Sequence, residues 1–358
     1  MTDYKKSILE CNPIIRSDLE KIAKSNLPWE ELHDKKVLVT GGGGFLASYL
    51  IKSLHTIGQL HKLNIKVVCV ARAKQSVETR LAAYLESSDI EMVLHDISQP
   101  LPTIFPSADF IIHCASQASP KFYGVDPVGT LRANSLGTLS LLEHALKTEK
   151  SKLMFFSSSE VYGEPLDSNK LVSEVDFGYL DPMNVRSCYA ESKRMGENMC
   201  VAWAHQNKMH VNVVRPFHIY GPGVSLDDGR VFADFVADVV AKRDIILKSD
   251  GLAMRPFCYI ADATVAFLTV LLRGEQTTAY NVGNPYAEIS ILKLATLLAN
   301  LFPERNIGVR FEIPISSNAY LKSPVYRACP SIEKIRNLGW APFTGVQEGF
   351  HRTITSFI

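Results

Sequence analysis

KKVLVTGGGGFLASYLIKSLHTIG (residues 35–58) decides the fold. KKVLVT (35–40) is a short β-branched run that ends in glycines, and FLASYLIKSLHTIG (45–58) follows with apolar residues at helical spacing. The pattern predicts a strand, a tight turn and a helix. Gly41 and Gly44 lie three apart directly after the strand, and Ala47 stands where a third small residue lets helix and strand pack closely. Backbone N–H groups unobstructed by a Cβ can approach a pyrophosphate at a helix N-terminus. The plain alternative is a tight loop with no ligand.

Outward from this unit, IKVVCVA (65–71), IEMVLHD (90–96), DFIIHCAS (109–116), KLMFFSSS (152–159) and VNVVRP (211–216) are apolar runs separated by helical patterns such as TLRANSLGTLSLLEHALK (130–147). Near-continuous apolar strands alternating with helices imply an α/β fold, a Rossmann-type doubly wound parallel sheet covered on both faces. Residues 35–216 are expected to form the dinucleotide-binding domain, with return segments at about 258–290. Residues 217–257 and 291–358 are expected to form a smaller α+β substrate lobe; beyond Pro216, helices are expected near 229–242 and 261–273 and a strand near 280–284. Residues 1–34 read as an N-terminal helical extension, with a helix start at Ser17 and a break at Pro28. A lobe over the C-terminal ends of the strands places a cleft at the topological switch point.

Composition narrows the function. Among 358 residues, 38 basic and 37 acidic side chains give a formal charge of +1, spread along the chain, so no nucleic-acid or anionic-membrane footprint appears. Seven cysteines without C-x-x-C spacing suit a reducing compartment, and no metal site is expected. With no signal-like or membrane-spanning stretch, a soluble cytoplasmic protein is expected.

Tyr189 and Lys193 stand four apart in a helical pattern, so both side chains share a face, and a lysine one turn away favours phenolate. An exposed helix pair is the plain alternative. FFSSSEVYG places hydroxyls at a strand end upstream; Ser157 reads as a turn or cap residue and Ser158 as the group that shares a hydrogen bond with the oxygen being oxidised. The second strand ends in Ala71 and Arg72 where many NAD-binding folds carry an acid. Arg72 could stack on adenine, meet a 2′-phosphate, or be a solvated surface residue. Asp96 is placed to accept from the adenine amino group.

Together, TGGGGFLAS, HCAS, SSSEVYG, YAESK, RPFHIYGPG, DGRVFADFV, MRPFCYIADA and YNVGNP resemble the extended short-chain dehydrogenase/reductase superfamily, in its nucleotide-sugar epimerase/dehydratase/decarboxylase branch, from about residue 35 onward. The resemblance implies that Tyr189 is the base, Lys193 its electrostatic and ribose-holding partner, and Ser158 a hydrogen-bonding group. It further implies that Gly41, Gly44, Phe45, Leu46 and Ala47 cradle the pyrophosphate, that Asp96 and Ile97 receive the adenine, and that Arg72 and Ala115 line the cofactor site. The cofactor implied is NAD, with NADP left open. Ser159-Glu160, RSCYAESKR and RACPSIEKIRNLGW are similar to UDP-glucuronate decarboxylases, in which oxidation at C4 creates a β-keto acid that loses carbon dioxide.

On that resemblance Glu160 lies near C5 and C6, Ser159 and His218 contact the sugar, Arg255 and Arg230 meet the diphosphate, and Arg327 grips the sugar carboxylate. For these groups the alternatives are structural: a turn hydrogen bond for Glu160 and ion pairs for the arginines. Ser158, Ala71 and His218 replace the Thr, Asp and Asn usual in the decarboxylases. The remaining functional alternatives are a 4,6-dehydratase, a 4-epimerase, a simple reductase, or a non-catalytic dinucleotide sensor. The expected partners are a nucleotide-diphosphate sugar and a second copy of the chain, paired through helices around 130–147 and 189–205.

Overall fold

The computed structural model describes residues 12–148, 151–312 and 325–358. Its centre is a seven-stranded parallel sheet whose order across the sheet is Ile90–Leu94, Lys66–Ala71, Lys36–Thr40, Phe110–His113, Lys152–Phe156, Val211–Pro216 and Thr278–Val282. In chain order this is third, second, first, fourth, fifth and sixth strand, then Thr278–Val282. Every pairing is parallel, from Lys36↔Lys66 on one side of the first strand to Val37↔Phe110 on the other. The strand order reverses between the first and fourth strands, and open α/β sheets take ligands in the crevice beyond the C-terminal ends at such a switch point. The α/β doubly wound sheet expected from the apolar runs is present.

Burial explains why those runs carry so little polarity. Val37, Leu38 and Val39 have no exposed surface, because helices cover both faces of the sheet. The Phe45–His61 and Ile260–Arg273 helices pack on one side, and the Pro127–Lys147 and Cys188–Asn207 helices pack against one another on the other. Beyond the sheet, short two-stranded pairs (Met254–Pro256 with Glu288–Ser290, and Val309–Phe311 with Ile245–Leu247) accompany the helices Val231–Val240 and Ile291–Leu301. Among the described residues no helix is long and apolar enough to cross a membrane.

The first helix among the described residues departs from its expected start. It runs Pro13–Ala23, and Asn12 caps it by accepting the Ile14 N–H at 3.0 Å. An Asn-Pro pair outcompetes Ser17 as a start signal because the side chain satisfies an orphan amide while Pro13 presets φ. Nor does this helix stand off the body of the protein. Asp18, 1% exposed, accepts from the Tyr49 and Tyr259 hydroxyls at 2.7 Å each and pairs with Arg352. Asp18→Ala is therefore expected to cost about 3 kcal/mol, since it leaves two phenols and a guanidinium without their acceptor. Denaturant unfolding checks this: an unchanged midpoint would show that the contact contributes nothing.

Candidate active site

A cleft of about 490 Å³ opens at the C-terminal ends of the central strands. Gly41 forms its floor. Its φ of +74° lies in the left-handed region, and a Cβ there would sit 2.8 Å from the Ala115 Cα. Gly44 ends the turn as N-cap of the Phe45–His61 helix with no capping side chain. The uncapped first turn and the space a Cβ would fill fit a pyrophosphate.

Opposite this floor, the Lys152–Phe156 strand delivers Ser157 and Ser158. Capping falls to Ser158, contrary to the expectation for Ser157: the Ser158 Oγ accepts the Glu160 N–H at 3.2 Å, starting the 3₁₀ turn Ser159–Tyr162, while the buried Ser157 hydroxyl has no partner. Because Ser158 accepts at its oxygen, its own proton is free to donate, and it hydrogen-bonds the Tyr189 phenol.

The Cys188–Asn207 helix carries Tyr189 and Lys193. Ser192, within the same turn, accepts from the Asn134 amide at 3.0 Å, while Arg194 donates to the Val161 carbonyl at 2.7 Å. These bonds tie the helix to its neighbour and to the turn that presents Glu160. The Lys193 Nζ donates to the Phe156 carbonyl at 2.6 Å and stands 5.8 Å from the Tyr189 ring centre. Tyr189 stacks on Tyr123, with ring centres 5.1 Å apart.

The expected lowering of Tyr189 by Lys193 does not appear in these side chains. Burial pushes the phenol up to about 12 against the lowering bond from Ser158, and pushes Lys193 down to about 7. An amine so thoroughly desolvated is only partly charged at neutral pH, so it offers less support to a phenolate than an exposed lysine would.

Glu160 is not turned into the following turn. Arg186 grips its carboxylate through two nitrogens, at 3.0 and 3.3 Å, and lies 5.9 Å from the Tyr123 ring centre. Arg186 and Tyr123 both line the cleft, and periodicity missed them: the Arg186–Glu160 pair spans 26 positions.

The other expected residues divide. Phe45, Leu46, Ala47, Arg72, Ser159, His218, Arg230 and Arg255 line the same cleft. His218 sits at φ +41°, a left-handed conformation that Asn and His tolerate better than most residues, and burial followed by Arg255 and Arg230 holds its ring well below the ordinary histidine range. Arg255 donates to the carbonyls of Met254, Tyr326 and Val325 at 2.7, 3.0 and 3.1 Å. Arg230 is paired with Asp228.

Asp96, Ile97, Ala115 and Arg327 fall outside the lining. Asp96 accepts the Ser98 N–H at 2.9 Å, Ile97 is buried under Gly137, and the Ala115 N–H donates to Thr40. Arg327 is held by both oxygens of Glu288 at 2.8 Å, although Val325 and Ala328 on either side reach the cleft.

Residues 37–283 match the family described as NAD dependent epimerase/dehydratase. The chain belongs to this family. It is 33% identical over 88% of its length to UDP-glucuronic acid decarboxylase 6 of Arabidopsis thaliana, covering 86% of that protein. It is 34% identical over 90% of its length to UDP-glucuronic acid decarboxylase 1 of Xenopus tropicalis, covering 72% of it. Among solved structures it superposes on UDP-glucuronic acid 4-epimerase from Bacillus cereus, in complex with UDP-glucuronic acid and NAD, with a TM-score of 0.75 at 21% identity, covering 90% of this chain and 98% of that one. It also superposes on the dTDP-glucose 4,6-dehydratase of Bacillus anthracis in complex with NAD, with a TM-score of 0.72 at 20% identity, covering 90% of this chain and 96% of that one. Both likenesses concern the fold.

The buried amine generates a stability prediction. Lys193 keeps its proton to pH 10.5 when unfolded but only to about 7 when folded, so its burial penalty is fullest below pH 7 and fades as the pH rises to 10.5. In cofactor-free protein, Lys193→Met is expected to raise the unfolding temperature at pH 7, with a smaller gain at pH 9. Thermal scans at both values check this; a loss of stability at pH 7 would contradict it.

Proposed function

We propose that this enzyme decarboxylates a nucleotide-linked uronic acid of the UDP-glucuronate type, through oxidation and re-reduction at the sugar C4 within one turnover. The observation that supports it is the Glu160 carboxylate, clamped by Arg186 beside Ser158 and Tyr189, in a chain similar over most of its length to proteins named as UDP-glucuronic acid decarboxylases.

When bound, the oxidised nicotinamide supplies a hydride acceptor and a positive charge beside the sugar. Tyr189 takes the proton of the C4 hydroxyl while Ser158 donates to the same oxygen. With its phenol lifted to about 12, Tyr189 needs positive charge close by to act at neutral pH, and protonated Lys193 supplies part of it. A C4 ketone stands β to the sugar carboxylate, so it accepts the electron pair left as carbon dioxide departs. Glu160, held by Arg186, lies near C5 and C6 in this reading. A dehydratase needs both an acid for the leaving hydroxyl and a base for C5; the Ser159-Glu160 pair offers one carboxylate.

Gly41, Gly44, Phe45, Leu46 and Ala47 hold the pyrophosphate, with Ala115 behind Gly41. Asp96 and Ile97 bound the adenine end, and a nicotinamide adenine dinucleotide is retained. Arg255, Arg230, His218 and Ser159 contact the nucleotide sugar, and a grip by Arg327 on the carboxylate requires its pair with Glu288 to open. Residues 217–257 and 291–358 serve as the substrate lobe. The protein works in the cytoplasm, supplying activated sugar for polysaccharide biosynthesis. It works as a homodimer whose interface uses the exposed Leu131, Leu136, Met195 and Val201 of the Pro127–Lys147 and Cys188–Asn207 helices.

Product masses after incubation with UDP-glucuronate and related nucleotide sugars test the proposal. Loss of one carbon dioxide is expected; loss of one water would mean dehydration, and an unchanged mass would mean epimerisation or a silent binding protein. In parallel, Tyr189→Phe is expected to lower turnover by roughly a hundredfold or more while the dinucleotide stays bound. Retained activity would remove Tyr189 as the base.

A further inference from the structure

We infer that the adenosine end of the dinucleotide site is built for a cofactor phosphorylated at the ribose 2′ position, with Arg72 meeting the phosphate. The inference rests on the dinucleotide reading above and specifies which form is bound.

The second strand ends at Ala71, and the Gly42 N–H donates to the Val70 carbonyl at 3.0 Å, so the strand end lies against the glycine turn. In this fold that strand end faces the adenosine ribose, where an acid accepts from the hydroxyls of the unphosphorylated cofactor and an arginine nearby accommodates a 2′-phosphate. The Ala71 methyl can accept nothing, and its carbonyl is already engaged by the His95 N–H at 2.9 Å.

The neighbouring carboxylates are committed elsewhere. Asp96 accepts from Ser98; Asp126 caps the Pro127–Lys147 helix through the Gly129 N–H and accepts from Gln117; Glu78 pairs with Lys74. Exposed Arg72 lines the cleft alongside Gly41 and Gly44, and its charge acts through space on Asp96 and Asp126, lowering both. Arg80 donates to the Gly43 carbonyl at 3.1 Å, which puts a second guanidinium behind the turn. At the strand end itself the 2′ position meets the Ala71 methyl in place of a carboxylate, and Arg72, with Asp96 and Asp126 as neighbours, is the cation lining the cleft there. Removing the acid thus discards a partner for one form and a repulsion against the other.

Two measurements decide it. The purified protein is denatured and the released nucleotide identified by mass; the phosphorylated form is expected. Affinities of nucleotide-stripped protein for NADP⁺ and NAD⁺ are then compared by calorimetry in wild type, Arg72→Gln and Ala71→Asp. Wild type is expected to prefer NADP⁺ by roughly ten- to a hundredfold, the span of one charge-assisted hydrogen bond. Arg72→Gln is expected to erase that preference by weakening NADP⁺ binding alone, and Ala71→Asp to shift preference toward NAD⁺. Preference of the wild type for NAD⁺ overturns the inference and leaves the proposed function standing. Equal weakening of both forms by Arg72→Gln also overturns it, since Arg72 would then serve the adenine. Binding of neither form overturns the inference together with the cofactor reading beneath it.

Discussion

A backbone-to-backbone approach at Gly41 is the constraint on which the cleft depends. A Cβ on Gly41 would sit 2.8 Å from the Ala115 Cα, so only glycine can make this left-handed turn, and the turn directs the Phe45–His61 helix so that its uncapped start faces the crevice between the first and fourth strands. The same tightness recurs around it. A Cβ on Gly42 would meet the Cys69 sulfur at 2.1 Å, and one on Gly43 the Ser76 hydroxyl at 2.2 Å. Gly41, Gly42 and Gly43 thus leave no room for side chains against Ala115, the second strand and the Lys74–Leu81 helix.

Across the crevice, the chemistry is held in conditions that oppose its charges. Tyr189 and Lys193 share a helix face, yet burial raises one and lowers the other, so both are driven toward neutrality. An incoming cation favours the phenolate of Tyr189 and disfavours the ammonium of Lys193, so the two groups answer it in opposite senses. The bonds from Arg194 to Val161 and from Lys193 to Phe156 keep these groups from drifting apart.

What could be read from the chain and what could not follow the range of the interactions. The strands VNVVRP and KVVCVA were legible because a sheet covered on both faces leaves an unbroken apolar run, and Tyr189 and Lys193 because helical spacing puts them on one face. The grip of Arg186 on Glu160, the Tyr123–Tyr189 stack and the three-way contact of Asp18 join positions 26 to 334 apart and leave no local trace. Short-range reading also erred where two signals competed. Asn12 took the cap from Ser17, and Ser158 took it from Ser157, in each case because the side chain with the right reach to an orphan amide wins.

The contact of Asn12 with Ser356, 2.8 Å from amide nitrogen to carbonyl oxygen, brings the start of the Pro13–Ala23 helix against the end of the Val346–Thr355 helix. With Arg352 reaching Asp18 just beside it, the described path of the polypeptide is nearly a closed loop. A short peptide joining Ser356 to Asn12 would complete a ring without crossing the crevice, so the order in which the segments are strung together is separable from the shape they build.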